Sequence, residues 1–443
     1  MVTYSSIIEW YRGRRQTLLS VGWVTGSQAL AAFFAIVGGL VQARYVSPEI
    51  LGNFSAFTIL AGYLTFLHLG ALIALQREYP YWLGKGDIER AREAAAVTQS
   101  WMLIVGIGIL GLYVSLAAIS LYQNNWMAAA GWASQTVVSF SFYALYLGNT
   151  YRSTNEFVTW SKITCVGASL GLLTVPLVVW LGFWGLCLRA VIPAVASIVI
   201  LHVYRPVRVK PLFRFDLLKK QFSFGLPISI PGFFATSCMM SCLMTVIFWQ
   251  YGAAVLGLFA LARMGESVMH QMGVSITQVF LPRINILMAQ TESLRACTKY
   301  IIKPLLACSL SMILIIVGGI VCAWLLIPFV APEYEESLPI FAILAWSGLV
   351  PVLLLPHHVF IAAKQQRPVM AALSSMFLAF VVCAALVYAL GLGPEWQATA
   401  YMIGKAFGLA VCYWCLWRQV IGEANIRMAA VMSGYKTKSH IWL

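Results

Sequence analysis

The chain has 443 residues, 61% of them hydrophobic and only 10% charged, with a formal net charge of +14. So little charge cannot cover a soluble domain of this length, which excludes an ordinary water-soluble enzyme or binding module. The basic excess sits at the ends of apolar runs, so it is no nucleic-acid groove either.

The chain begins with a short basic tail, residues 1–17, and a first apolar run at about 18–43. That run is too long for a signal-peptide core, so no cleavage is expected. Eleven more runs follow, at about 52–75, 97–121, 126–148, 161–181, 183–204, 223–249, 254–279, 301–327, 338–361, 369–391 and 396–417. Each is long enough, at 1.5 Å per residue, to cross roughly 30 Å of hydrocarbon. The fold class is therefore an all-α polytopic membrane protein of about twelve transmembrane helices. No gap between runs has room for a soluble domain.

If the N-terminus is cytoplasmic, the tails and inner loops hold every basic residue except Arg44, Arg189, Arg263 and Lys405. The outer loops hold Arg44 with Glu49, Glu333, Glu335, Glu336 and Glu395. This positive-inside pattern predicts an even number of spans and both termini in the cytoplasm. It points to membrane lipids, through their anionic headgroups, as partners. The plasma (inner) membrane is the expected location.

Two stretches echo each other. Tyr45–Phe54, YVSPEILGNF, turns from the first run into the second, and Tyr251–Phe259, YGAAVLGLF, turns from the seventh into the eighth. Leu75-Gln76-Arg77 ends the second run, and Leu281-Pro282-Arg283 ends the eighth at nearly the same offset. Matches in equivalent places predict two six-helix repeats, parallel because both begin inside, forming two lobes around a central cavity. The break falls in the basic segment 204–221, which gives an N-terminal lobe over 1–208 and a C-terminal lobe over 209–443. The glycine of each LGxF suits a turn and close helix approach, so the motif reads as an outer hairpin rather than a binding element.

Small and helix-breaking residues mark the spans. GxxxG spacing occurs at Gly22/Gly26, Gly167/Gly171 and Gly404/Gly408. Pro227-Ile-Ser-Ile-Pro231 opens the seventh span and should distort it. Cys412 and Cys415 form a CxxC inside a span with no partner pair, and read as packing residues. His357-His358 lacks further ligands nearby in sequence, so no metal and no cofactor is expected.

Four ionisable residues fall inside spans: Arg189, Arg263, Glu266 and Lys405. Each costs about 2.5–3.5 kcal/mol near the bilayer centre, so such groups face a cavity or a partner. Arg189 and Lys405 lie about 6 and 9 residues into the equivalent spans six and twelve, which would set positive charge on both walls of a cleft. Arg263 and Glu266 stand three apart on one helix and can pair as a structural ion pair, or Glu266 can couple an ion. A basic pocket of Arg189, Arg263 and Lys405 would suit an anion such as a lipid pyrophosphate or an acidic sugar. His68, in the inner half of span two, can relay protons or simply pack.

The segments FGLPISIPGFF at 224–234, YGAAVLGLFALAR at 251–263, ARYVSPEILGNFSAF at 43–57 and LGNTYRSTNEF at 147–157 resemble the polysaccharide-repeat-unit flippases. These belong to the multidrug/oligosaccharidyl-lipid/polysaccharide exporter superfamily. The resemblance implies two six-helix lobes, a V-shaped cavity and alternating access. It also implies a substrate, an undecaprenyl-pyrophosphate-linked oligosaccharide moved from the cytoplasmic to the periplasmic leaflet for O-antigen, capsule or exopolysaccharide synthesis. Partners would be the polymerase and glycosyltransferases of that pathway. Many relatives carry an acidic residue late in span seven, whereas Cys242–Trp249 has none. No bond is made or broken, so no enzyme activity is expected. Two rivals remain. A multidrug antiporter would favour acidic cavity residues, and a membrane glycan polymerase or ligase would need larger outer loops.

Overall fold

The computed structural model describes residues 4–154, 156–278, 280, 284, 287–288, 290–291, 293–363 and 365–432. Among the described residues every regular element is helical. The first lobe comprises α1 (Tyr4–Tyr45), α2 (Pro48–Leu64), α3 (Ala71–Gly84), α4 (Ile88–Tyr122), α5 (Trp126–Gln135), α6 (Val137–Ser153), α7 (Phe157–Leu173), α8 (Val175–Leu181) and α9 (Phe183–Val203). The second comprises α10 (Phe215–Phe233), α11 (Met239–Gln278), α12 (Leu294–Val330), α13 (Ser337–Ala345), α14 (Val350–Leu353), α15 (Leu355–Ala362), α16 (Gln366–Ala389) and α17 (Pro394–Met432). The side where α1 begins and α17 ends is called the tail side below, and the opposite side the turn side.

Ten helical segments among the described residues are long and apolar enough to cross a membrane. One of them, Phe215–Ser275, contains two crossings, because Gly252 at φ 83 and ψ −174 reverses the chain inside it. Only a residue without Cβ adopts that backbone readily. α5 and α6, on either side of Thr136, make a further stretch of crossing length, Trp126–Ser153. With these two added, twelve helical stretches of crossing length lie among the described residues, as expected.

The caps follow from local sequence. Ser47 accepts from the Ile50 amide and Pro48 occupies the first turn of α2, while Asp87 caps α4 and Asn125 caps α5 in the same way. The proline pair in α10 does not break it. The helix runs through Pro227 and Pro231, and the strain of the missing amides emerges as a π-helical turn at Phe234–Cys238. Equivalent spans are broken alike: span four at Thr136, and span ten by a 3-10 turn at Trp346–Leu349. The structure thus repeats a break that the two sequences do not share.

The two LGxF motifs meet. A Cβ on Gly52 would fall 1.7 Å from the Ala253 carbonyl oxygen, and one on Gly257 would fall 1.8 Å from that of Pro48. The contact is symmetric, and no side chain fits on either glycine. It joins the lobes on the turn side, where the apolar core runs from Val46 and Leu51 across to Leu256, Phe259 and Tyr334. Of the three GxxxG pairs, Gly404 and Gly408 both press on α16 near Met376, whereas Gly22 and Gly26 face open space. The Leu281-Pro282-Arg283 echo lies outside the described residues.

Candidate functional site

The most buried ion pair among the described residues lies in the second lobe. Lys405 on α17 and Glu266 on α11 are 5% and 6% exposed, and Nζ lies 3.8 Å from Oε1. Small residues make this possible. Gly404 and Gly408 let α17 lie against α16, and Gly265 and Gly348 bring α11 against Phe341 and the broken tenth span. That break points the Ser347 hydroxyl at Glu266 Oε1, to which it donates. The Lys405 ammonium also sits over the Tyr401 ring, 4.3 Å from its centroid.

Two further groups flank the pair on α11. Arg263, one turn toward the turn side, is half-buried and makes no ion pair among the described residues. The expected Arg263–Glu266 pair is therefore replaced by Lys405–Glu266. A half-exposed guanidinium can keep water, but an enclosed ammonium cannot, so the carboxylate goes to the lysine. His270, one turn toward the tail side, reaches the Ser347 backbone, while its Nδ1 is buried without a hydrogen bond. The sequence reading passed over both His270 and Ser347. A histidine four residues after an in-span glutamate was a legible signal; the 3-10 turn that aims Ser347 was not.

Arg189 has a different setting. It is half-buried in the first lobe, donating through Nη1 to Gln42 Oε1 on α1 and through Nε to the Gly171 carbonyl at 3.4 Å. Gly38 leaves room for the guanidinium. The adjacent Gly39 faces the other way, and a Cβ there would lie 3.4 Å from the Met264 sulfur of α11. So α1 stands between Arg189 and the second lobe. Arg189 and Lys405 do not face each other across one cleft, because each is held inside its own lobe.

His68 closes the 3-10 turn after α2, where its Nδ1 accepts from the Gly70 amide at 3.1 Å. It adjoins the contact between lobes on the tail side. There Gly70, at φ 78, packs backbone to backbone on Gly225 of α10.

One seam between lobes is therefore shut from end to end. After Gly52/Gly257 comes Tyr63, whose hydroxyl is 2.9 Å from Thr245 Oγ1. Then follow Gly70/Gly225, the Phe66–Phe233 and Trp101–Phe222 rings at 5.1 Å, and Gln221 bonded to Thr98 and the Ala94 carbonyl at 3.1 Å. Across the other seam, between α1 and α11, the contacts among the described residues lie in its turn-side half. Tyr334 donates to the Val46 carbonyl at 2.8 Å, Arg44 donates to that of Val330 at 3.1 Å, and Gly39 meets Met264. In the tail-side half of α1, Gly22 and Gly26 meet nothing within 4 Å, and Trp23, Leu30 and Phe33 are exposed.

Comparison with known proteins agrees with this architecture. Solved structures similar to this chain include a multidrug resistance MATE family transporter of the MOP superfamily in an inward-facing conformation. It has a TM-score of 0.69 and 14% identity, covering 89% of this chain and 96% of that one. An outward-facing conformation of such a transporter gives 0.66 and 14%, covering 92% and 96%. A MOP superfamily transporter from Pyrococcus furiosus, described as having a binding pocket of reverse polarity that suggests a different function, gives 0.62 and 14%, covering 90% and 95%. No curated protein matches. The family model described as polysaccharide biosynthesis protein matches residues 89–334, more than half of the sequence. The chain is a multi-pass helical membrane protein that shares the fold of these transporters, and it belongs to the polysaccharide biosynthesis protein family.

Proposed function

We propose that this protein flips a lipid-linked oligosaccharide, carried on undecaprenyl pyrophosphate, from the tail-side leaflet to the turn-side leaflet. The tail side is then cytoplasmic and the membrane is the inner membrane. The observation that carries this reading is the inequality of the two seams. One is closed from Gly52/Gly257 through Tyr63 and Gly70/Gly225 to Gln221, and in the other the contacts among the described residues stay in the turn-side half. An opening toward lipid suits an amphiphile whose headgroup enters between the lobes while its chain stays outside. Each methylene drawn out of the bilayer costs about 0.8 kcal/mol, so a long polyprenyl chain would cost tens of kcal/mol if the whole molecule were enclosed. Arg263 on α11 supplies positive charge that no carboxylate among the described residues pairs with, which favours an anionic pyrophosphate.

A multidrug antiporter of the same fold is less well supported. A cationic drug needs a free carboxylate, and Glu266, the carboxylate deep among the described spans, is taken by Lys405. A glycan polymerase is disfavoured by turn-side connections as short as Gly182, Gly252 and residues 331–336.

The test is flipping in proteoliposomes with a fluorescent polyprenyl-pyrophosphate oligosaccharide and a membrane-impermeant quencher. The expected result is a second, time-dependent quenching phase that empty vesicles lack, slowed in Arg263→Ala. Efflux of cationic dyes by the same vesicles, without lipid flipping, would overturn the proposal.

A further inference from the structure

A carboxylate buried in a membrane protein needs a positive neighbour, and small cations meet that need as well as side chains do. The surroundings of Glu266 have the makings of a monovalent-cation site. Glu266 Oε1 is the anion, Ser347 adds a hydroxyl on the same oxygen, and Tyr401, 3% exposed, presents its ring face. Carboxylate, hydroxyl and aromatic face all attract a small hard cation. Three separate elements supply them: α11, the 3-10 turn of span ten, and α17. The place that a free cation would take is held by the Lys405 ammonium, 3.8 Å from Oε1 and 4.3 Å from the ring centroid.

The remaining charged or titratable groups facing the pair are Arg263 and His270, both on α11. Neither contributes negative charge, so the cluster has room for one cation beside Glu266 and not for two. Lys405 comes from the opposite helix on a four-carbon stem, with Gly404 and Gly408 opening the helix contact around it.

We infer that Glu266, Ser347 and Tyr401 form a monovalent-cation seat that Lys405 fills as a tethered cation, so that the second lobe needs no soluble sodium or potassium. The lysine is held covalently, so it cannot diffuse away as a soluble ion can. Cutting back the stem vacates a seat of ammonium size, which a soluble cation can then enter.

The test is thermal unfolding of the purified full-length protein, which does not depend on what it transports. Salt is held at constant ionic strength while choline, too bulky for the seat, is exchanged for sodium, methylammonium or butylammonium. The wild type should melt at the same temperature in all four. Lys405→Ala should melt lower in choline, then rise saturably with sodium or an alkylammonium. At a cation concentration about 100 times the dissociation constant, mass action shifts the folding equilibrium by about 100-fold. The double variant Glu266→Gln/Lys405→Ala should lose that response. A Lys405→Ala protein indifferent to every cation overturns the inference. If that variant does not accumulate, the wild type decides: a sodium-dependent rise in its melting temperature that Glu266→Gln abolishes shows the seat open to solvent cations and also overturns it, and indifference to sodium upholds it.

Discussion

Arg189 and Lys405 stand at similar depth in equivalent spans, yet the two lobes treat them differently. Lys405 is enclosed and answered by a carboxylate, whereas Arg189 stays half-buried and is answered by an amide oxygen and a carbonyl. The chemistry of the two cations explains the difference. A guanidinium spreads its charge over five donors and is weakly hydrated, so neutral acceptors can satisfy it; an ammonium is a compact charge that holds water strongly and needs a counter-ion once water is gone. Breaking a buried pair from one side costs about 3–5 kcal/mol. Glu266→Ala should therefore lose about that much stability in denaturant unfolding, the largest effect expected in the molecule. Glu266→Ala with Lys405→Met should recover most of it, since replacing both partners by apolar groups is often neutral. A single-variant cost below about 1 kcal/mol would show that Lys405 finds another partner, and would put it on a level with Arg189.

The first lobe should respond less. Gln42 is 2% exposed, and its side-chain oxygen is the acceptor for Arg189 Nη1. Gln42→Leu leaves that donor unsatisfied, at a cost of about 1–3 kcal/mol. Adding Arg189→Met should return most of the loss, as the double variant leaves neither partner orphaned. If Gln42→Leu matches Glu266→Ala, Arg189 depends on its acceptor as strictly as Lys405 depends on its carboxylate, and the lobes are alike after all.

These two residues also show what could be read from the chain alone. Span number and the two-lobe repeat follow from hydropathy and turn chemistry, which are local. The LGxF echo was legible as a repeat, but not the meeting of its two copies at Gly52 and Gly257, because a hairpin motif does not say what packs on it. The i, i+3 rule put Arg263 and Glu266 on one face correctly. It could not weigh that contact against an ammonium arriving from α17, far away in sequence. The facing of Arg189 and Lys405 rested on symmetry of depth. Depth fixes height in the membrane and leaves rotation about the helix axis free, and here rotation puts α1 between them. Pro227 and Pro231 signalled distortion, and the chain placed it one turn later as a π-helical turn.

Glu78 offers a milder case, outside the spans, in which burial and partners compete at one residue. It sits on α3 at the tail-side seam, facing Lys220 and Gln221 of α10 with Arg77 beside it. Burial pushes its carboxyl above the usual range, although Lys220, Gln221 and Arg77 each pull the other way. The folded state then holds this proton at a pH where the unfolded chain has released it. Stability from Glu78 is full below the ordinary glutamate value, about 4.3, and is lost as pH rises through the higher folded value. Glu78→Gln, which cannot ionise, should escape that loss. Its melting temperature relative to wild type should climb as pH is raised from the acid side toward neutrality, by less than either change above. The opposite trend, with Glu78→Gln losing ground as pH rises, would mean that Lys220 outweighs burial. Glu78 would then answer a lysine as Glu266 does, but across the seam between lobes instead of within one.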